Sequence, residues 1–183
     1  MRLYRRTQFG NPILRKPARV LHEKEILSVP MQDFIKDMKY TLEKRKYGIG
    51  LAAPQVGKSI ALIIIGIKPT PTRPNIEKLD MIVINPKIIR YDDRPTDMWE
   101  ACISGPELYG KAVRYPKVRL HWLDEKARKH QKDFEGLAAQ VIQHEVDHLN
   151  GILFVDRVKD TKTYLTFSEY KKLRKAGGKQ IKV

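Results

Sequence analysis

The chain has 183 residues, about the size of one domain, and 42% of them are hydrophobic, which excludes a wholly disordered protein. Its single cysteine excludes an intramolecular disulfide. The longest apolar run, residues 60–67, is too short to span a bilayer, so no membrane partner is expected. We predict one domain over residues 1–183 that is soluble and cytoplasmic, or that acts in an organelle after a transit segment has been removed.

The charge of the chain is strongly positive and unevenly distributed. Thirty-six Lys and Arg residues against 21 Asp and Glu residues give a formal net charge of +15. Residues 157–183 contain nine of the basic residues and only two acidic ones, a net charge of +7. Such a segment either solubilises a protein or follows a polyanionic surface. Because the aromatic pattern of a known RNA-binding module is missing, sequence-specific recognition of nucleic acid is not expected.

The spacing of apolar residues predicts helices and strands in chain order. Apolar side chains recur on one face over residues 30–46, which indicates a helix. Three glycines and a proline predict that residues 48–57 contain no regular element. Further predicted elements are strands over 61–67, 81–84 and 112–123, a turn over 124–126, and helices over about 135–150 and 168–176, ended by Gly151 and Gly177. Since crossover helices do not separate the strands regularly, we predict an α+β fold of mostly antiparallel sheets packed around the central helix over 135–150, with a C-terminal helix.

The central helix carries the motif Gln143-His-Glu-Val-Asp-His148. His144 and His148 are four residues apart, so both imidazoles lie on one face and can bind the same metal ion. A divalent ion lowers the pKa of a bound water toward ~7, and Glu145 can take its proton and pass it to a leaving group. The motif therefore predicts that this is the metal-binding helix of a hydrolase.

Two imidazoles leave the metal site short of the three protein ligands that a catalytic ion usually has. Phe154 occupies the position at which one class of protease has a third histidine. Glu169 could instead complete the site of a zinc endopeptidase. Cys102, the only thiol in the chain, could supply a soft third donor. A third hypothesis, an RNA-binding protein with a structural metal, depends only on the positive charge and the basic C-terminal segment.

A site built on the Cys102 thiolate and two neutral imidazoles would leave a divalent ion with one net positive charge. Such an ion polarises a carbonyl less than an ion bound by three imidazoles, so hydrolysis needs other donors to the developing oxyanion. The candidate donors are the side-chain amide of Gln55 and the backbone N–H of Ile103.

Three sequence blocks together resemble the peptide deformylase family, in its order and approximate spacing. The blocks are Gly48-Ile-Gly-Leu-Ala-Ala-Pro-Gln55, Glu100-Ala-Cys-Ile-Ser104 and Gln143-His-Glu-Val-Asp-His-Leu-Asn-Gly151. Residues 10–15 and 84–88 also match, so the resemblance covers about residues 10–158. It implies a hydrolase of protein biosynthesis that removes the formyl group from the N-terminal formyl-methionine of nascent peptides and releases formate.

The resemblance also implies roles for individual residues. One divalent metal ion, usually Fe²⁺ with Zn²⁺, Ni²⁺ or Co²⁺ as substitutes, would be bound by Cys102, His144 and His148. Glu145 would be the general acid and base, with Gln55 and the Ile103 amide as oxyanion donors. The residues implied to pair with the peptide and to hold its methionine side chain are Gly48, Gly50, Met98, Leu137 and Val141.

Three residues depart from the family pattern, and none of them is an implied metal ligand. Ala101 stands where glycine is usual, Gly105 replaces a branched apolar residue, and Tyr109 stands where many bacterial members have arginine. These departures affect contacts to the peptide. The basic C-terminal extension over about 160–183 resembles the segment with which some family members dock on the ribosome, and we expect it to follow a single catalytic domain.

Overall fold

The computed structural model describes residues 1–44, 48–71, 73–91, 94–105 and 107–176. The helices are α1 (Glu23–Ile26), α2 (Val29–Glu43), α3 (Gly136–Leu149) and α4 (Phe167–Lys175). The strands are β1 (Gly50–Ala52), β2 (Leu62–Ile67), β3 (Leu79–Tyr91), β4 (Thr96–Ala101), β5 (Leu108–Arg114), β6 (Lys117–Leu123), β7 (Lys129–Glu135) and β8 (Leu165–Thr166). Short 3₁₀ helices cover Pro12–Arg15, Ala53–Val56, Phe154–Arg157 and Thr161–Thr163.

The strands in the described part of the chain form two sheets. One sheet has five strands in the order β1-β2-β3-β6-β7, and the other has three in the order β4-β5-β8. Neighbouring strands within both sheets are antiparallel. The predicted α+β fold with antiparallel sheets is therefore confirmed. Among the described residues, no helix combines the length and the hydropathy needed to cross a membrane.

The five-stranded sheet is packed on both faces, which explains why β2 is apolar at almost every position. Ile63 and Ile65 lie in a buried cluster with side chains of α3. Leu62 and Ile64 lie in a second buried cluster with Met38 of α2. Successive side chains of a strand point to opposite faces, so a strand between two helices needs apolar residues in both directions. Because burial of each such side chain contributes about 1.5–3 kcal/mol, α3 is held firmly against the sheet.

The predicted helices are confirmed with small shifts at their ends. α3 is slightly shorter than the predicted 135–150, and Gly151 follows it at a φ of +73°, in the left-handed region. Ser28 is the N-cap residue of α2, but its hydroxyl donates to the Glu25 carbonyl at 2.7 Å instead of capping the helix. The predicted ends of the first and last helices, at 46 and at Gly177, lie outside the described residues.

The prediction of one strand over 112–123 is wrong, because the chain breaks between β5 and β6 and the two strands belong to different sheets. Pro116 lies at the break, where it cannot donate to a ladder and where its carbonyl accepts from Gly136 N at 2.9 Å. The backbone of Tyr115 is bonded instead to the side chain of Gln143 on α3, at 3.0 and 2.8 Å. Half-buried hydrogen bonds between Tyr115 and Gln143 of α3 therefore replace strand pairing at this point.

The prediction that residues 48–57 contain no regular element is also wrong. They include β1, a three-residue edge strand that pairs with β2, and the 3₁₀ helix Ala53–Val56. Pro54 lies at the start of this 3₁₀ helix, where the missing N–H costs nothing, and Gly57 ends it at a φ of +82°. The glycines thus permit a tight sequence of short elements here.

β3 is longer than the predicted strand over 81–84. It continues through Asn85 and Pro86, with a shift of register between Ile84 and Lys87. Asn85 has a φ of +49°, and its side-chain amide bonds to the backbone N–H and carbonyl of Leu21 at 2.9 and 2.8 Å. A β-bulge thus accommodates a proline that would otherwise end the strand.

Gly151 is a position where conformation and space both require glycine. A Cβ there would lie 2.5 Å from the carbonyl oxygen of Arg15, whereas Gly10, at a φ of +94°, has open space around it. Gly10→Ala should therefore lower the free energy of unfolding by the conformational cost alone, about 1–2 kcal/mol. Gly151→Ala should lower it by about 1–3 kcal/mol more, because of the added overlap. Urea unfolding measures both, and equal losses would contradict this account of the helix end.

Candidate metal centre and active-site cavity

A thiol and two imidazoles converge on one point in the structure. Cys102 follows the last residue of β4, and His144 and His148 lie on α3. Their candidate ligand atoms all lie within 4.8 Å of one another, and the Cys102 Sγ is 3.2 Å from the His148 Nε2. Glu169, the alternative third ligand, is not part of this cluster; it lies on α4 and its carboxylate pairs with Lys172 at 2.7 Å. The donor set thus fits a soft or borderline divalent cation.

A buried ion network holds β4 and β5 against α3. The guanidinium of Arg114 on β5 bonds to both carboxylate oxygens of Glu100 on β4, at 2.8 and 3.0 Å. Its remaining nitrogen bonds to Asp147 on α3 at 2.5 Å, and Arg157 bonds to the same carboxylate at 2.7 Å. Because the Arg114, Glu100 and Asp147 side chains are only 3–8% exposed, each charge depends on its partners for stabilisation.

Glu100 also orients one of the imidazoles. Its Oε2 lies 3.0 Å from the Nδ1 of His144, which leaves the Nε2 of that ring to face the cluster. Burial would raise the pKa of Glu100, but His144 and Arg114 lower that pKa to about 2. The carboxylate therefore stays charged at neutral pH and keeps the ring in one orientation.

The thiol of Cys102 lies in an electropositive environment. Burial by itself would raise the pKa of this thiol, but His148 and His144 lower the pKa well below its usual value. Burial would likewise lower the pKa of His144, but Cys102 and Glu100 raise that pKa well above its usual value. A thiolate beside a protonated imidazole is stabilised by positive charge, which a divalent cation would supply in place of the proton.

Gln55 presents its side-chain amide to the same cluster. Its Oε1 accepts from the backbone N–H of Ala52 at 2.8 Å, which fixes the orientation of the amide. Its Nε2 lies 3.1 Å from the His148 Nε2 and 3.5 Å from the Cys102 Sγ. This nitrogen also lies 3.3 Å from the Ser104 Oγ. A fully buried amide donor thus lies beside the donor atoms.

Glu145 is buried next to the histidines and lacks a full set of partners. Its Oε2 has no hydrogen-bond partner among the described residues. Burial raises the pKa of this carboxyl, although the neighbouring imidazoles oppose the increase. The backbone of Gly50 passes so close that a Cβ at this position would lie 2.8 Å from the Glu145 Cδ. Glycine is therefore needed at position 50 to leave room for the carboxylate.

A cavity of about 170 Å³ opens beside this cluster, between the edge strands β1 and β4 of the two sheets. It is smaller than the ~300–1,000 Å³ of typical sites for drug-sized ligands, so it suits one side chain and its neighbouring amide. Its lining residues are Gly48, Ile49, Gly50, Gln55, Arg73, Trp99, Glu100, Ala101, Ile103, Leu137, Gln140, Val141, His144 and Glu145. Four of the five residues predicted to bind the peptide are in this set. Met98 is not among the described residues that line the cavity; its neighbour Trp99 is.

The N-terminal segment lies on the side of the site where Gln55 and Ser104 contact Cys102. The backbone N–H groups of Thr7 and Phe9 donate to the carbonyls of Gln55 and Ser104, at 2.8 and 2.9 Å. The three departures from the family pattern line a second cavity of about 430 Å³ on this side; they are Ala101, Gly105 and Tyr109. They therefore lie together, and Ala101 also lines the first cavity with His144.

Several residues that position the site were not predicted. Glu100 was only part of a sequence block, and Arg114 and Asp147 had no predicted role. Alternation along β5, with Gly110, Ala112 and Arg114 buried, was a usable signal, because an arginine on a buried face needs acidic partners. The contacts of the N-terminal segment could not be predicted from residue types, because they are made by backbone groups.

An α+β fold that brings a thiol, two imidazoles and a buried carboxylate with one unpartnered oxygen to one cavity is typical of a metallohydrolase. The sequence model of the polypeptide deformylase family matches residues 4–164, and the chain belongs to this family. Enzymes of this family are hydrolases of protein biosynthesis that process N-terminal N-formyl peptides. The predicted resemblance and the predicted enzyme class are confirmed.

Relatives and solved structures agree with this assignment. The chain is 38% identical over 164 residues to the peptide deformylase of Leptospira biflexa, covering 86% of this chain and 88% of the relative. It is 40% identical over 150 residues to the peptide deformylase of Chlorobaculum tepidum, and the match covers 82% of this chain and 76% of the relative. The chain also resembles a crystal structure of a class I type b peptide deformylase from Acinetobacter baumannii with Met-Ala-Ser bound. The two superpose with a TM-score of 0.81 at 32% identity, over 86% of this chain and 99% of the other.

Removing the charge of Arg114 should destabilise the protein far more than removing a surface arginine. Arg114→Met removes the buried cation shared by Glu100 and Asp147, and should cost about 3–5 kcal/mol. His144 and Arg157 would remain as partners of the two carboxylates. Arg119→Met is the matched control. Two nitrogens of Arg119 contact Asp133 in a similar way, but about 30% of each side chain is exposed. This substitution should cost about 0–1 kcal/mol of stability. Chemical unfolding compares the two, and a loss below about 1 kcal/mol for Arg114→Met would contradict the role of the network.

Proposed function

We propose that the chain removes the formyl group from N-formyl-methionyl peptides at a divalent metal ion held by Cys102, His144 and His148. The observation that carries this proposal is the convergence of these three donors beside Glu145, whose Oε2 has no partner among the described residues. The cluster lies next to a cavity that has both polar and apolar lining residues. Membership of the deformylase family supports it independently.

The metal is proposed to be Fe²⁺, following the family resemblance. A thiolate with two imidazoles also suits Zn²⁺, and Ni²⁺ or Co²⁺ as substitutes, so the donor set alone does not choose among them. When bound, such an ion supplies a Lewis acid and lowers the pKa of water toward ~7. Residues of the chain would transfer the proton, stabilise the oxyanion and bind the peptide.

Glu145 is proposed to move the proton. Its free Oε2 can accept a proton from the attacking water, and burial, which raises the pKa of this carboxyl, lets it hold that proton briefly. It then donates the proton to the amine nitrogen of the methionine as the bond to the formyl carbon breaks. One carboxyl group thus serves as base and then as acid.

The developing oxyanion is proposed to be stabilised by Gln55 and by the backbone N–H of Ile103. The Gln55 amide is held rigidly through its Oε1, so it donates without reorganisation during the reaction. Ile103 lines the cavity and follows Cys102, while its carbonyl is held by Arg6 at 2.8 Å. Both donors are therefore fixed by contacts outside the reacting groups.

The peptide is proposed to lie extended between β1 and β4. Both are edge strands, so their outer backbone groups can pair with an added strand, beginning near Gly48 and Gly50. The methionine side chain would enter the cavity beside Leu137 and Val141 on α3, and a direct contact with Met98 stays a prediction. Met-Ala-Ser bound to the Acinetobacter baumannii relative supports a peptide that begins with methionine.

We also propose that the chain works in the cytoplasm as a single catalytic domain and that its basic extension contacts the ribosome. The described part of this extension is tied to the domain, since β8 pairs with β5. Lys172, Arg174 and Lys175 lie in the last turn of α4 and give it a basic end.

Replacement of Glu145 tests the proposed chemistry. Glu145→Gln keeps the shape of the side chain but cannot transfer the proton, so the rate of formate release should fall by about 10²–10⁴-fold. Metal content should not change, because Glu145 is not a ligand in this proposal. Glu169→Gln is the control and should keep full activity and metal. Near-normal formate release by Glu145→Gln would refute the assigned role.

Charge replacement tests the proposed docking. A triple variant, Lys172→Gln, Arg174→Gln and Lys175→Gln, should weaken ribosome binding in a cosedimentation assay and reduce its salt dependence, because fewer counterions are released from RNA. Turnover of a short formyl-peptide should not change. Binding that is insensitive to salt, or unaffected by the triple variant, would contradict docking through α4.

A further inference from the structure

One wall of the active-site cavity is a tryptophan that is itself held by the C-terminal helix. Trp99 lies on the edge strand β4 and lines the cavity with Leu137 and Val141. In the ladder with β5, Trp99 pairs with Lys111 and Ala101 pairs with Tyr109. Side chains of such cross-strand pairs share one face of the sheet, and this is the face on which α4 packs.

Three contacts hold Trp99 in place. The ring of Tyr170 on α4 lies 5.5 Å from the indole, at an interplanar angle of 58°. The ammonium of Lys111 lies 5.5 Å from the centre of the indole. The backbone carbonyl accepts from the side chain of Gln140 on α3 at 2.9 Å. The carbonyl contact fixes the strand, so the orientation of the indole depends on Tyr170 and Lys111.

Tyr170 is in turn part of an aromatic stack. Its ring lies 4.1 Å from that of Tyr109, at an angle of 14°, and Tyr109 lies 5.9 Å from Phe167 at 20°. The start of α4 is anchored separately, since Phe167 N donates to the Glu107 carbonyl at 2.9 Å. A series of aromatic contacts therefore connects the C-terminal helix to the wall of the cavity.

We propose that Tyr170 is a positioning residue that keeps the indole of Trp99 in place as the wall against which the first side chain of the substrate packs. This inference rests on the proposed function of the cavity. His144 is held by Glu100, Cys102 and His148 contact Gln55, and Glu145 lies against Gly50. None of these contacts includes Tyr170, so its loss should weaken substrate binding and leave the chemical step intact.

Steady-state kinetics separate these two effects. Tyr170→Ala should raise KM for a formyl-methionyl peptide by about 3- to 10-fold, the loss expected for one aromatic contact, with kcat unchanged. Tyr170→Phe keeps the ring and should behave as the parent enzyme, as should Glu169→Gln on the same helix. For a formyl-alanyl peptide, whose side chain does not reach the wall, Tyr170→Ala should leave KM unchanged.

An optical measurement tests the contact without turnover. Trp99 and Trp122 are the only tryptophans in the chain. In a Trp122→Phe background the tryptophan fluorescence comes from Trp99 alone. Tyr170→Ala should shift this emission to longer wavelength, whereas Tyr170→Phe should not. Tyr170→Leu, which keeps an apolar side chain, replaces the alanine variant in both experiments if that variant does not fold.

Three results would overturn the inference: an unchanged KM and emission in Tyr170→Ala, an equal loss with both substrates, or a fall in kcat alone. If the parent enzyme released no formate, the proposed function would fail by itself. The emission experiment would then still decide whether Tyr170 holds Trp99.

Discussion

The structure depends on one buried ion network, in which Arg114 joins Glu100 to Asp147. The thiol follows β4, and the imidazoles belong to α3, which packs on the other sheet. Without a strong contact between β4 and α3, the thiol and the two imidazoles would not meet. Arg114 supplies this contact with three hydrogen bonds, two to Glu100 and one to Asp147. Glu100 adds contacts to Gln140 and His144 of α3, in a region almost free of solvent where an unpaired charge would be costly.

The same arrangement creates the place for a substrate. Docking of the small sheet leaves β1 and β4 as facing edge strands, with the donor cluster at one end of the space between them. Gly50 lets β1 approach α3 closely enough to enclose the Glu145 carboxylate. The C-terminal helix completes the wall through Tyr170 and Trp99. In the proposed function, metal binding, proton transfer and side-chain recognition each depend on different supporting contacts.

Much of this site could be predicted from local sequence. The spacing of His144 and His148 places both rings on one helix face in any helix, and the sequence blocks placed Cys102 with them. Contacts between distant segments left weaker signals. The prediction of one strand over 112–123 missed the change of sheet at Pro116, because apolar residues such as Val113 and Val118 recur on both sides of it. The link between Trp99 and Tyr170 depends on how α4 packs, which no local pattern specifies.

The central claim is that the Cys102 thiolate, with His144 and His148, binds the catalytic metal. Metal analysis after anaerobic purification, paired with a formate-release assay, tests it most directly. The account predicts about one metal ion per chain in the parent enzyme and in Glu169→Gln, and loss of both metal and activity in Cys102→Ser. Full metal content in Cys102→Ser, with loss in Glu169→Gln, would contradict the account and favour the endopeptidase alternative.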